Sequence, residues 1–374
     1  MSKAFITVGP EGKSHTFSQF GSGTLANVPT YLGPNVVVWP EALLKEAQHL
    51  LEIGLSYPLK SVSIDSKCLI TTAYHRALNR LREIKRGFVR HGSCGHGIAE
   101  TRKYWLKYNQ DSIFAKDLKF PHVLEEKLNL IRQRILLEIQ EIQLSQTESV
   151  TEQLEVFDLP IKKMAKKLWQ TNLKIVEQIP NYRTAVFEGA QGVLLDEWFG
   201  FFPYVTRSTV TSKHAHELIT EGDEVTTIGC IRPYATKHGA GPLPNEDKEL
   251  TKHVNDTGNP WNQWQENFRT GWLDLGLLKY ALDIEKVDCL AVSCIDHLEN
   301  YQETRLYDGA FDFSKPKYNI RLMESNTEIL KSTRHKGHFI ALDELLERIA
   351  IVPIGIEGRG PTWKDRKSNV YQNL

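Results

Sequence analysis

Short apolar runs at residues 4–8, 35–38, 185–187, 226–230, 289–293 and 350–356 alternate with stretches whose apolar positions recur at helical spacing. That alternation predicts an α/β fold. Several runs end in glycine-bearing loops, which predicts a mainly parallel central sheet with flanking helices and ligands at the strand C-termini. Between about 124 and 178 the pattern turns helical: L-E-E-K-L-N-L-I-R-Q-R-I-L-L-E-I-Q-E-I and then I-K-K-M-A-K-K-L-W read as two long helices, broken by the polar segment 145–151 and by Pro160. They predict a helical subdomain over about 120–180, packed on the sheet. With no internal repeat or low-complexity linker, one domain over 1–374 carrying this insertion is the simplest organisation.

Composition narrows the class. The chain has 374 residues, 41% hydrophobic and 25% charged, an ordinary globular balance with ample length for a core. Lys plus Arg and Asp plus Glu stand at 46 each, so no overall field draws the chain to nucleic acid or to an anionic membrane. The five cysteines form no C-x-x-C pair, which fits a reducing, cytoplasmic setting. No apolar run reaches the roughly 18 to 20 residues of a membrane span, and the first residues lack the pattern of a signal peptide.

Several loops carry candidate chemistry. A-F-I-T-V-G-P-E-G-K-S-H-T-F at 4–17 is a strand entering a glycine-bearing loop with Lys13 and His15 near the turn. A phosphate loop should open a helix there, whereas 17–34 continues as glycine- and proline-punctuated chain. H-G-S-C-G-H-G-I-A-E-T-R at 91–102 opens a helix, and its backbone amides suit a monophosphate. His91, Cys94 and His96 are also zinc-ligand types, with no fourth ligand nearby. A strand at 184–187 runs into Gln191, followed by hydroxyls at Thr206, Ser208, Thr209 and Thr211 that suit a phosphate and a purine edge. Gly239 and Gly241 permit close backbone approach to a base or ribose. Trp261 and Trp264 serve either as a stacking platform or as packing anchors.

The string F-E-G-A-Q-G-V-L-L-D-E-W-F-G-F-F-P-Y-V-T-R-S-T-V-T at 187–211 closely resembles the purine-nucleotide signature of adenylosuccinate synthetases. Further motifs follow in family order from about 8 to 366. G-P-E-G-K-S-H-T resembles the family's second phosphate loop, which places His15 on a histidine that contacts the transferred phosphoryl group. The alternative is that Pro10–Lys13 is a merged remnant of the family's first loop, G-D-E-G-K-G, with Glu11 as carboxylate and Lys13 as phosphate ligand. The 91–102 segment resembles the T-T-G-(R/H/K)-G-I-G nucleotide loop, assigning Ser93, Cys94 and Gly95 to substrate. Y-A-T-K-H-G-A-G-P-L-P-N-E at 234–246 resembles a further substrate loop containing Gly239. Arg269 alone remains of the family's arginine loop that grips L-aspartate. In V-S-C-I-D-H-L, Asp296 retains the guanine-reading aspartate while Cys294 replaces its lysine, leaving GTP or ATP open. Gly358, Arg359, Gly360 and Pro361 match the final nucleotide loop.

The resemblance implies a two-step, Mg²⁺-dependent ligase reaction in purine biosynthesis. A base removes the purine N1 proton, O6 attacks the γ-phosphate, and an amine displaces the 6-phosphoryl group to form a C–N bond. His15, Gln191 and Glu11 are the catalytic candidates it implies, and the monophosphate is IMP or dGMP. It also implies a homodimer that lends an arginine across subunits; Lys107 stands in that region, and Leu128, Ile131, Ile135 and Leu136 offer an apolar face. The family's first loop is missing, as are most of the aspartate-gripping arginines, so weak turnover with IMP and L-aspartate is expected. The alternative is a purine-nucleotide-binding pseudoenzyme, or a subunit whose missing loop comes from a partner chain.

Overall fold

The computed structural model describes residues 5–8, 14–254, 256, 259, 261–301, 303–314 and 319–368. Glu11 and Lys13 lie outside them. The chain divides into two compact units, one of Met1–Ile6 and His15–Glu188, the other of Thr7–Ser14 and Gly189–Leu374.

In the first unit the strands Thr30–Leu32, Val62–Asp65 and Ile175–Val176 pair in parallel, with Val62–Asp65 central. All four residues of that central strand are buried, as parallel strands covered on both faces require. A second parallel pair joins Val37–Val38 to Leu69–Ile70. Helix Pro40–Glu52 starts on a proline, whose fixed φ suits the first helical position, and buries Leu43, Ala47 and Leu50. Helix Ala73–Arg86 is closed by a reciprocal cap between Thr72 and His75. It packs against helices Ile98–Tyr108 and Pro121–Ile142.

The helical region predicted over 120–180 contains one long helix, not two. Pro121–Ile142 is followed by the short helices Glu148–Leu154 and Ile161–Trp169. The polar 143–147 stretch and Pro160 interrupt the helical ladder too often for a second long helix. Leu128, Ile131 and Ile135, expected as a dimer face, are instead fully buried in the unit's own core, and Leu136 packs against it.

In the second unit the strands Ile228–Ile231, Cys289–Val292 and Ile354–Gly358 run parallel, with Arg366–Ser368 antiparallel at the edge. A second sheet orders Lys336–Ile340, Thr304–Asp308, Phe268–Asp274 and Tyr234–His238, with only its middle pair parallel. Strand Phe268–Asp274 buries its last five residues and hands over to helix Leu275–Ile284 through the Asp274 cap.

Three of the predicted runs shift. The 35–38 run pairs only at Val37–Val38, the 226–230 run begins at Ile228, and 350–356 yields strand Ile354–Gly358 after helix Leu342–Ile349. The predicted strand at 184–187 is absent. Residues 181–192 are exposed and join no ladder, so their apolar content is not matched by a neighbouring strand. No described helix is long and apolar enough to cross a membrane.

Ile131 is fully buried at the centre of the helical layer. Ile131→Ala should lower the unfolding free energy by about 2–5 kcal/mol. Urea denaturation with an unchanged slope checks this; a loss below about 0.5 kcal/mol would show that the helix is not packed there.

Candidate functional site

In the first unit, two loops that carry sequence motifs are each held by a buried glutamate. Glu46 accepts from the backbone amides of Ser18, Gln19 and Phe20 at 2.8, 2.8 and 3.3 Å and from the Ser18 hydroxyl at 2.7 Å. His15 lies against it, with Nε2 3.5 Å from the Glu46 carboxylate and Nδ1 2.7 Å from His49 Nδ1. Both ring nitrogens of His15 therefore face protein partners. Burial pushes its pKa below the ordinary histidine value, with Glu46 opposing and His49 adding to the shift.

The glycine loop ahead of helix Ile98–Tyr108 is fastened to one face of helix Ala73–Arg86. Glu83 accepts from the amides of Gly92 at 2.9 Å and Ser93 at 3.4 Å. Asn79 donates to the Ser93 hydroxyl at 2.8 Å and accepts from the Gly97 amide at 3.3 Å. Arg80 donates to the Gly95 carbonyl at 3.1 Å. Gly97 has φ +79°, and a Cβ there would sit 2.7 Å from the Arg76 nitrogen, so only glycine allows the helix start to lie on its neighbour.

Trp39 links the two loops. Its backbone exchanges bonds of 2.9 and 3.0 Å with the Gln19 side chain. Its ring stacks against the Arg76 guanidinium at 3.9 Å and lies 5.3 Å from the His96 ring. Burial, and then Arg80, hold Arg76 down at about 10. Burial above all, with Arg76 and Arg80 among the added charges, holds His96 at about 4. His15 and the 92–97 loop are thus connected through Glu46, Gln19, Trp39 and His96. Ser22 donates its amide and hydroxyl to Glu188, tying the S-G stretch to the start of the 187–211 string.

In the second unit that string is organised by Asp196, which is fully buried. Its carboxylate accepts from the amides of Trp198 at 2.8 Å, Phe199 at 3.2 Å and Val210 at 2.8 Å. Gln191 is exposed at φ +72°. The Thr206 hydroxyl donates to the Ser208 carbonyl at 3.2 Å, and Thr209 donates to Glu197 at 2.9 Å. Gly241, at φ +102°, lies under the Tyr204 ring, where a Cβ would be 2.5 Å from ring carbon. The Thr206 and Gly239–Gly241 loops are therefore neighbours.

Arg269 is engaged inside the fold. It meets Glu246 at 2.8 and 2.5 Å and the carbonyls of Gly239 and Gly241 at 3.1 and 3.0 Å. Its guanidinium is a clamp on the glycine loop, so its donors are already directed to protein acceptors.

The predicted nucleotide residues meet where the parallel strands Cys289–Val292 and Ile354–Gly358 end. The Ile295 amide donates to the Gly358 carbonyl at 3.0 Å, and Arg359 reaches Glu299 at 2.9 Å across the same gap. Asp296 starts the short helix Asp296–Glu299, half-buried, 4.0 Å from His297. Gly360 and Pro361 continue the loop, and the Thr362 cap on Asp365 closes it. The zinc reading of His91, Cys94 and His96 finds no support: among the described residues no three His, Cys, Asp or Glu side chains converge as metal ligands.

The family model of adenylosuccinate synthetase matches residues 2–324. The chain belongs to the adenylosuccinate synthetase family. The Clostridium botulinum (Alaska E43) adenylosuccinate synthetase is 31% identical over 286 residues, covering 74% of this chain and 65% of its own length. The chain thus spans about two thirds of the length of the curated relatives it matches. Among solved structures, a fully ligated Plasmodium falciparum adenylosuccinate synthetase superposes with TM-score 0.73 at 18% identity, covering 98% of this chain and 91% of that one. Cyanophage S-2L succinoaminodeoxyadenylate synthetase, bound to dGMP and dATP, gives TM-score 0.52 at 14% identity, covering 98% and 84%. Both show the fold.

The family resemblance singled out loop residues and passed over those that hold the loops: Glu46, Trp39, Asn79, Glu83 and Asp196. A signal for three of them was present. Glu46 interrupts the apolar stripe Leu43, Ala47, Leu50, and Asn79 and Glu83 stand four apart on a helix face that is otherwise packed. A charge inside an apolar stripe marks a side chain that must find buried partners.

Burial holds His75 near 3 and His96 near 4, below the unfolded value of about 6.5. Below that value the unfolded chain binds protons that the native state refuses. Stability is therefore full above about pH 6.5 and falls as pH drops towards 4. Denaturation at stepped pH should show this slope, and His75→Gln should flatten it; an unchanged slope in that variant would exclude His75 as a source.

Proposed function

We propose that the protein acts in purine nucleotide biosynthesis as an adenylosuccinate synthetase-type ligase, forming a C–N bond between a 6-oxopurine monophosphate and an amine donor at the expense of a nucleoside triphosphate. The observation that carries this reading is the ordered glycine loop of 92–97 ahead of a helix, in a chain matched to the family over residues 2–324. Such a loop suits the monophosphate. Arg76 and Arg80 beside it supply positive charge.

The roles follow from the chemistry of each group. Gln191, exposed, is the candidate for a purine edge, and Thr206 for a hydroxyl contact. Asp296 beside the 358–361 loop accepts from the base of the triphosphate, GTP or ATP. For His15 to contact a phosphoryl oxygen, one ring nitrogen must exchange its present partner, His49 or Glu46, for the ligand. The residues described offer no cage for a resident Mg²⁺. That ion commonly enters with nucleotide phosphates, which supply most of its ligands and whose charge it offsets. The phage relative bound to dGMP makes deoxyguanylate a candidate beside IMP. L-Aspartate is the amine donor by family membership, and a cytoplasmic homodimer is the state we assign on the same ground.

Calorimetry with IMP and dGMP should give binding below millimolar concentration, and Gln191→Ala should weaken it by about 1–3 kcal/mol through one lost hydrogen bond. Phosphate release that requires both the monophosphate and a triphosphate identifies the reaction. No heat with either monophosphate, in protein that unfolds cooperatively, would overturn the proposal.

A further inference from the structure

Strands Tyr234–His238 and Phe268–Asp274 are antiparallel, and their register sets Lys237 directly opposite Arg269. Like charges directly opposite each other across two strands repel and ordinarily cost stability. The two cations are treated unequally. Arg269 is filled by Glu246 and by the carbonyls of Gly239 and Gly241. Lys237 is half-buried and, among the described residues, makes no hydrogen bond or ion pair. The one carboxylate in the group, Glu246, answers first to Arg269 and also senses Lys248. Glu246 is thus shared by Arg269 and Lys248, and Lys237 is left without a carboxylate among the described residues.

We propose that Lys237 is an oxyanion receptor: its ammonium binds a carboxylate or phosphate oxygen of a ligand seated on the Gly239–Gly241 loop, with Arg269 holding that loop in place. In the ligase reading, on which the ligand's identity rests, the natural group is a carboxylate of the amine donor. Lys237 then takes over part of the work of the arginines that this chain lacks ahead of Arg269. Position supports this. Lys237 precedes Gly239 by two residues, and the carbonyls of Gly239 and Gly241 are already turned to Arg269. Burial, and then Arg269, push the Lys237 amine down to about 8, the response of a cation whose charge is not compensated inside the protein. An arriving anion would supply that compensation.

The test uses the full chain with two probes, succinate for a carboxylate source and inorganic phosphate for the other. Calorimetry should detect at least one, weakened by roughly tenfold or more in Lys237→Met, the usual scale for a lost charged hydrogen bond. Lys237→Arg should keep affinity within a few-fold. The tighter of the two probes identifies the source. Acetylation of the unmodified protein at pH 8, read residue by residue by mass spectrometry, gives a second measurement that needs no variant. Lys237 should be modified without ligand and protected by the probe that binds. A cooperative unfolding transition kept in Lys237→Met shows that the fold survives while the receptor is lost, and IMP binding by the unmodified protein reads the ligase assignment separately. Equal probe affinity in Lys237→Met, or no protection of Lys237 by a probe that binds, would overturn the assignment.

Discussion

A backbone amide that is buried outside helix and sheet must still find an acceptor, and this chain meets that requirement with buried carboxylates. Glu46 takes three successive amides of the 18–20 turn, Glu83 takes two from the glycine loop, and Asp196 takes three from the 198–210 loop. Asp274 does the same at the head of helix Leu275–Ile284 and also receives His335 at 2.9 Å. Each takes several donors at once in a protected setting, where a hydrogen bond is electrostatically stronger than in water. Removing any of them would leave several donors unpaired at once. The loops are shaped by these anchors before any ligand arrives, and the glycines permit the shape without holding it.

Anchoring loops with carboxylates has an electrostatic consequence. Glu83 holds the glycine loop and at the same time meets Arg86 at 2.5 Å, while Arg80 stands beside the same loop on the Gly95 carbonyl. Burial, and then Arg80, lower the Arg76 pKa, burial alone lowers that of Arg80, and Arg76 finds an aromatic face on Trp39. In the second unit, Arg269 secures a carboxylate and two carbonyls while Lys237 opposite it has none among the described residues. Under the proposed ligase function, such an imbalance holds back part of the favourable charge pairing for an anionic ligand.

The same logic separates residues that hold a loop from residues that meet a ligand. Arg269 matched the family pattern and looked like a receptor for a carboxylate, yet its guanidinium is spent on Glu246 and on the loop it supports. His15 likewise matched a phosphoryl-contacting histidine and lies buried between Glu46 and His49. Motif identity places a side chain in the right region. Which partners it has there depends on charges that lie far away in sequence.

The α/β class, the order of the motifs and the family were legible from residues alone, because apolar periodicity and glycine placement are local properties of the chain. Strand Cys289–Val292 and helix Pro121–Ile142 appear almost where the pattern predicts, each having a continuous apolar face to bury. The strand predicted at 184–187 failed because an apolar run becomes a strand only if another strand pairs with it, and none does. The apolar face of Pro121–Ile142 could be read from spacing, but whether it covered a second subunit or its own core could not; the buried Leu128, Ile131 and Ile135 settled that in favour of the core. Tertiary structure alone decided that Glu46 and Glu83 hold loops, that Arg269 is committed and that Lys237 faces it. Each of these depends on partners brought together by folding, from Glu83 and the glycine loop nine residues on to Arg269 and Glu246 twenty-three apart. Local sequence specifies which groups are present; only the packed chain specifies which of them are already satisfied.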